Sequence, residues 1–210
     1  MPAVIGSTRD LRRGIQRLAA LEPRFAEIHA ATGDPPLRRE PPGLASLLRM
    51  IVYQHVSLAS AGAVWRRLEE RLGDVTIATF APLGQQDLRD LGLTHAKARA
   101  CLAIAQALRE GKVDLDGLAG ASDAEARAAL VALPGIGPWT AELYLLTCLG
   151  RTDAWPGGDV ALRSAARDVF ALQERPDTRA METLAEPWRP WRAVAARLLW
   201  AYYRHAGVGG

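Results

Sequence analysis

The sequence predicts an all-α protein. Apolar residues recur at three- and four-residue spacing along most of the chain, and capping residues open those stretches. Only Val75-Thr76-Ile77 hints at the period-two alternation of a strand. With 210 residues, 49% hydrophobic and 23% charged, the chain can bury a core as one domain or as two small lobes.

Residues 8–20 and 23–32 read as two short helices broken at Pro23, with Ser7 or Thr8 as N-cap. Gly33-Asp34-Pro35-Pro36 and Glu40-Pro41-Pro42-Gly43 mark a linker. A very apolar helix runs from Leu44 to His55, its stripe of Leu44, Leu47, Leu48, Ile51 and Val52 wide enough to be central. Ser57 caps the next helix, which carries Leu58, Val64, Trp65 and Leu68 at helical spacing and reaches about Leu72. Residues 73–93 read as a loop with short helical turns, followed by a helix over 95–110. Ser122 with Glu125 forms a capping box for a helix to Leu133. Further helices are predicted at 138–149, 159–170, 178–186 and 190–205.

The net charge of +3 and the pI near 9.2 are compatible with a polyanionic partner without requiring one. Lys97 and Lys112 are the only lysines, so 24 of the 26 basic residues are arginine, whose planar fork suits phosphate. A GC-rich coding sequence accounts for most of that excess. Cys101 and Cys148 sit in apolar helical stretches without metal-site spacing, which argues against zinc and iron–sulfur centres and for reduced thiols. No signal-peptide pattern or membrane-spanning apolar run is present, and the expectation is a soluble cytoplasmic protein with no membrane partner and no cofactor.

Most informative is Leu133-Pro134-Gly135-Ile136-Gly137-Pro138-Trp139-Thr140-Ala141, a turn joining two helical patterns with almost no linker. Its glycines permit positive φ and close backbone approach, and Pro138 falls at the first turn of the next helix, where its missing N–H is harmless. That helix start can offer N–H groups to a phosphate oxygen, while Ile136 plugs the turn against its own helices. Downstream, Trp155-Pro156-Gly157-Gly158-Asp159 delivers one carboxylate to the start of a new helix, as an N-cap, a reactive group, or both.

These segments resemble the helix-hairpin-helix DNA glycosylase superfamily, and within it the bacterial alkylbase branch of inducible 3-methyladenine DNA glycosylase type. Five stretches agree in order: residues 51–57, 91–99, the hairpin, 155–163 and Pro187-Trp188-Arg189-Pro190-Trp191-Arg192, covering about 44–204. The resemblance implies a single glycosylase domain over 1–210 of two helical lobes with a DNA cleft between them. One lobe would span 43–158 with the hairpin at 133–138, and the other 1–40 plus 159–210. Larger members carry an N-terminal β-rich domain, and helix beginning near residue 8 predicts its absence here.

By the same resemblance Asp159 is the catalytic carboxylate, facing the positive charge that develops on the sugar. Trp139, Trp200 and Tyr144 are the candidates for the base pocket, an indole suiting a cationic alkylated purine. Tyr144 is one residue past the family's tyrosine position, which Leu143 occupies, and both tryptophans also fit core positions. Trp139 stands where strand-nicking relatives have a Schiff-base lysine, so a monofunctional enzyme without abasic-site lyase activity is expected. Gln54 and His55 fall at the family's polar and wedge positions. Lys97, Arg99, Gly135, Ile136, Gly137, Thr140 and Arg163 fall where it contacts DNA. The carbonyls of Leu133 and Ile136 can hold a monovalent cation in this superfamily. The resulting expectation is a monomeric glycosylase excising alkylated purines (3-methyladenine, 7-methylguanine) from damaged double-stranded DNA in base excision repair. A glycosylase for deaminated or mismatched bases, or a non-catalytic hairpin protein that binds DNA, stay open as alternatives.

Overall fold

A computed structural model describes residues 3–207, and among them the fold is helical throughout. Its one β feature is an isolated antiparallel bridge between Val4 and Arg151. Twelve α-helices occur in order: α1 Thr8–Leu21, α2 Arg24–Thr32, α3 Leu44–Tyr53, α4 Leu58–Leu72, α5 Ile77–Phe80, α6 Gln85–Asp90, α7 His95–Arg109, α8 Asp123–Val131, α9 Pro138–Tyr144, α10 Val160–Val169, α11 Thr178–Ala185 and α12 Arg192–His205. Short 3₁₀ turns occupy Gly117–Ala119 and Glu186–Trp188, and α9 runs directly into a π-helical turn, Leu145–Leu149.

The expected caps form. Ser7 accepts from Asp10 N–H, Ser57 from Ser60, Thr94 from Lys97, and Ser122 with Glu125 completes a capping box. Val75-Thr76-Ile77 is no strand, because Thr76 caps α5 and Ile77 opens it. The helix predicted to reach His55 stops at Tyr53: Gln54 leaves the helical region and His55 takes a positive φ of 54°.

The chain divides into two compact units. The first comprises residues 40–144, with α3 at its centre; Leu47, Leu48, Ile51 and Val52 are buried, and α4, α7 and α9 pack around them. Burying a Leu or Ile side chain contributes about 1.5–3 kcal/mol, so this stripe is a large share of the unit's stability. Helices α5 and α6 lie on α7, and α8 lies on α9. The second unit gathers the described residues of 2–39 and 145–210, with α12 packed on α1, α2 and α10. An aromatic cluster supports it: Phe25 and Trp155 meet Trp188 edge-on at 5.0 and 5.6 Å, and Phe170 stacks on it at 5.5 Å.

The boundary between units falls after Tyr144 and not at 158/159 as expected. The reason is local bonding of the intervening segment. Ile5 N–H donates to Gly150, Thr152 N–H to Ala3, and Ala193 N–H to Thr152, which ties residues 145–158 to the terminal helices.

Candidate active site

The first unit carries the hairpin. Leu133 and Ile136 are 3% and 4% exposed, so Ile136 is the plug its sequence suggested, and Ile136 N–H closes the turn onto the Leu133 carbonyl at 3.2 Å. Gly135 has a φ of +82°, and a Cβ there would sit 2.7 Å from Ala100 Cβ on α7. Only glycine satisfies both constraints. Gly137 is different: a Cβ would meet nothing within 4 Å. Its outer side, like those of Gly135 and Pro138, is exposed. Arg127 on α8 pairs with Glu142 on α9, a cross-brace between the hairpin's two helices that sequence reading did not single out.

Gln54 and Thr140 are brought together. Gln54 Nε2 donates to Thr140 Oγ1 at 2.8 Å and lies 3.5 Å from the Gly135 carbonyl, so the turn after α3 is fastened to the hairpin. Thr140 is 2% exposed and acts within this link. His55, next in sequence, is exposed in the left-handed conformation, flanked by exposed Val56 and Leu58. Lys97 behaves otherwise than a surface cation: Nζ donates to the carbonyls of Val52 and Gln54 at 2.8 and 2.6 Å. It thereby caps the C-terminus of α3, where a positive charge is favourable. Burial pushes its amine below the ordinary lysine value, only partly opposed by nearby Cys101. Cys101 is itself pushed up to about 12 by burial and stays a thiol. Arg99 on α7 is exposed.

Two of the three pocket candidates lie in this unit. Trp139 is half-buried in the first turn of α9. Tyr144 is 0% exposed, and its hydroxyl accepts from Gly43 N–H at 2.8 Å. That places Tyr144 in the core and not on a pocket wall, since any stacking on a base would break this bond and expose the ring.

The second unit holds Asp159, half-buried and in the extended conformation as N-cap of α10. Its Oδ1 accepts from Leu162 N–H at 3.0 Å and from the indole N–H of Trp200 at 3.0 Å. Capping and Gly157-Gly158 turn geometry fix where the carboxylate starts, and α12 fixes where it points. Trp200, expected as a stacking surface, is thus first of all a donor to the carboxylate. Arg163, one turn on, donates Nε to the Pro176 carbonyl and is partly buried. Asp153 is no solvated loop residue. It forms a bidentate pair with Arg192, whose side chain is 5% exposed, at 2.8 and 2.9 Å, and it also pairs with Arg189. This engagement separates it chemically from Asp159. No lone residue in the sequence signals the pair, which joins positions 39 apart.

A helical fold organised around a glycine hairpin, with one acid held at a helix N-terminus, defines a class of DNA repair folds. Residues 48–190 match the HhH-GPD superfamily of base excision DNA repair proteins, and the chain belongs to that family. Over 192 residues it is 32% identical to a Mycobacterium tuberculosis protein named "Probable bifunctional transcriptional activator/DNA repair enzyme AlkA", covering 85% of this chain and 38% of that one. It is 30% identical over 166 residues to Escherichia coli DNA-3-methyladenine glycosylase 2, covering 73% of this chain and 55% of that one. The chain therefore spans between a third and about half the length of these two relatives. Among solved structures, a DNA-3-methyladenine glycosidase from Bacillus halodurans aligns with a TM-score of 0.82 at 24% identity, over all of this chain and 95% of that one, which establishes the fold.

Proposed function

We propose that the chain is a monofunctional DNA glycosylase that hydrolyses the N-glycosidic bond of alkylated purines, of the 3-methyladenine and 7-methylguanine type, in double-stranded DNA. The observation that carries this is Asp159, whose Oδ1 accepts two N–H groups, one from its own helix and one from Trp200. Similarity to a curated relative named as a DNA-3-methyladenine glycosylase supports the substrate class.

As the bond from C1′ to the base nitrogen breaks, its electron pair leaves with the base. An alkylated purine is already cationic, so it departs neutral and needs no general acid. Positive charge develops on the sugar, and a fixed carboxylate beside C1′ stabilises it. Water then adds to C1′ and releases a proton, leaving an abasic site. A target base must leave the stack to be cut, and the half-buried indole of Trp139 suits stacking on a cationic purine. Trp139 offers no amine for a Schiff base, so no backbone nicking follows. The exposed Gly135 and Gly137 on either side of the buried plug suit a phosphate oxygen, with His55 as the residue presented to the duplex gap. A monovalent cation could share the hairpin, since the Leu133 carbonyl keeps one lone pair beyond its bond to Ile136 N–H. Arg99 and the third N–H of Lys97 remain for phosphate, and the protein acts as a monomer.

The core position of Tyr144 favours one second reading, a glycosylase for deaminated or mismatched bases, because it removes a pocket aromatic. The deciding experiment is release of free methylpurine from methylated duplex DNA by the wild type and by Asp159→Asn. Release by the wild type alone, with abasic-site binding retained in the variant, is expected. No release by either from alkylated DNA, but release from deaminated substrates, would replace the substrate class. Binding without release from any substrate would leave a non-catalytic hairpin protein.

A further inference from the structure

The second unit buries a cation that nothing in the reaction above uses. Arg197, in the middle of α12, is 3% exposed, yet its guanidinium makes a single hydrogen bond, Nη2 to the Leu146 carbonyl at 3.2 Å. Its Nε is buried with no acceptor. Such a group is costly to bury unless an anion answers it.

Its neighbours are also cations. Arg39 donates Nη1 to the Ile5 carbonyl at 3.3 Å and Nη2 to the Cys148 carbonyl at 3.1 Å. Burial first, then the charges of Arg39 and Arg38, push Arg197 down to about 10. Arg204 stands seven residues on, on the same face of α12, and is lowered by burial and by Arg38. Among the described residues, none of these four guanidiniums has a carboxylate at ion-pair distance.

The arrangement is built in by a glycine. Gly150 has a φ of +70°, and a Cβ there would fall 1.4 Å from Arg39 Nη1. A side chain at 150 would therefore evict the guanidinium. Capping of the Leu145–Leu149 turn explains the carbonyl bonds of Arg39 and Arg197. It explains neither the vacant Nε of Arg197 nor the placement of Arg38 and Arg204, which bond no carbonyl among the described residues.

We propose that Arg38, Arg39, Arg197 and Arg204 form an oxyanion site that takes a phosphate group, from a DNA backbone or from free phosphate. An oxyanion can accept from several guanidinium N–H groups at once and offset the mutual repulsion of the four charges. Arg197 and Trp200 share α12, so a DNA phosphate here would be a contact on the helix that also bonds Asp159. The site does not depend on the glycosylase reading, because binding alone tests it.

The test measures melting temperature against inorganic phosphate at constant ionic strength, and affinity for undamaged duplex across a salt series. The proteins compared are wild type, the exposed double variant Arg38→Ala/Arg204→Ala, and Arg197→Met. A saturable rise of about 5 °C at a hundredfold excess of phosphate over its Kd is expected for the wild type and lost in both variants. A backbone source adds a salt slope shallower by about 1 per arginine removed, with phosphate competing against duplex. An unchanged slope assigns the site to free phosphate. Arg197→Met should melt no lower than wild type in chloride, since it removes an uncompensated buried charge. If phosphate leaves the wild type unmoved, or moves the double variant equally, and the salt slopes coincide, the arginines are helix caps and the site is refuted. Should Arg197→Met fail to fold, the exposed pair still decides.

Discussion

At the scale of single residues, the indole of Trp200 changes role once its N–H is seen on Asp159 Oδ1. A hydrogen bond to a charged group contributes about 1.5–3 kcal/mol, so Trp200→Phe should slow single-turnover base release about 10- to 100-fold. Affinity for an abasic-site duplex should hold; a parallel loss of affinity would return Trp200 to a stacking role. Tyr144→Phe leaves Gly43 N–H without its acceptor and should lower stability by about 1–3 kcal/mol in urea melts. Activity per folded molecule should be unchanged, because the ring belongs to the core. Asp153→Asn removes the closer of the two carboxylates facing buried Arg192, leaving Glu182 at 3.4 Å, and should lower stability by up to about 3 kcal/mol in the same melts.

Among elements, the hairpin separates glycine as a fold requirement from glycine as open space. Gly135→Ala meets both a positive φ and Ala100, and should destabilise the protein in thermal melts. Gly137→Ala meets nothing in the protein. It should fold normally yet weaken duplex binding, if a phosphate approaches that backbone; unaltered binding would move the contact elsewhere. Ile136→Ala empties a buried plug and should cost about 2–5 kcal/mol. These elements show how far periodicity reaches. The helices, the Ser122–Glu125 box and the plug were legible, being local in sequence. The stop of α3 at Tyr53 was not, since it depends on Lys97, from α7, bonding the carbonyls of Val52 and Gln54.

For the whole molecule, acid sensitivity follows from carboxylates held below their ordinary range. Asp34 is lowered by hydrogen bonds from His29 and then Arg12, Asp10 chiefly by Ser7, and Glu125 chiefly by Ser122. Folded values below unfolded ones mean the stabilisation is complete above the ordinary values of 3.8 and 4.5 and is lost as pH falls through the depressed ones. Thermal melts should therefore hold level from pH 6 down to the ordinary value of 4.5 and decline below it, and Asp34→Asn should flatten part of that decline. No helix of the described residues is long and apolar enough to cross a membrane.

By itself the sequence determined the helical class, the caps, the hairpin and the position of Asp159, because each rests on residues within a turn or two of one another. Its motifs also sufficed to point to the family. Tertiary structure alone decided that Trp200 bonds Asp159, that Tyr144 is core, that Asp153 answers Arg192, and that Arg39 and Arg197 meet at the Leu145–Leu149 turn with no carboxylate beside them among the described residues. Those facts join residues that lie dozens of positions apart. Helical periodicity says which face a side chain occupies, but the partner on the facing helix is fixed only when the helices pack.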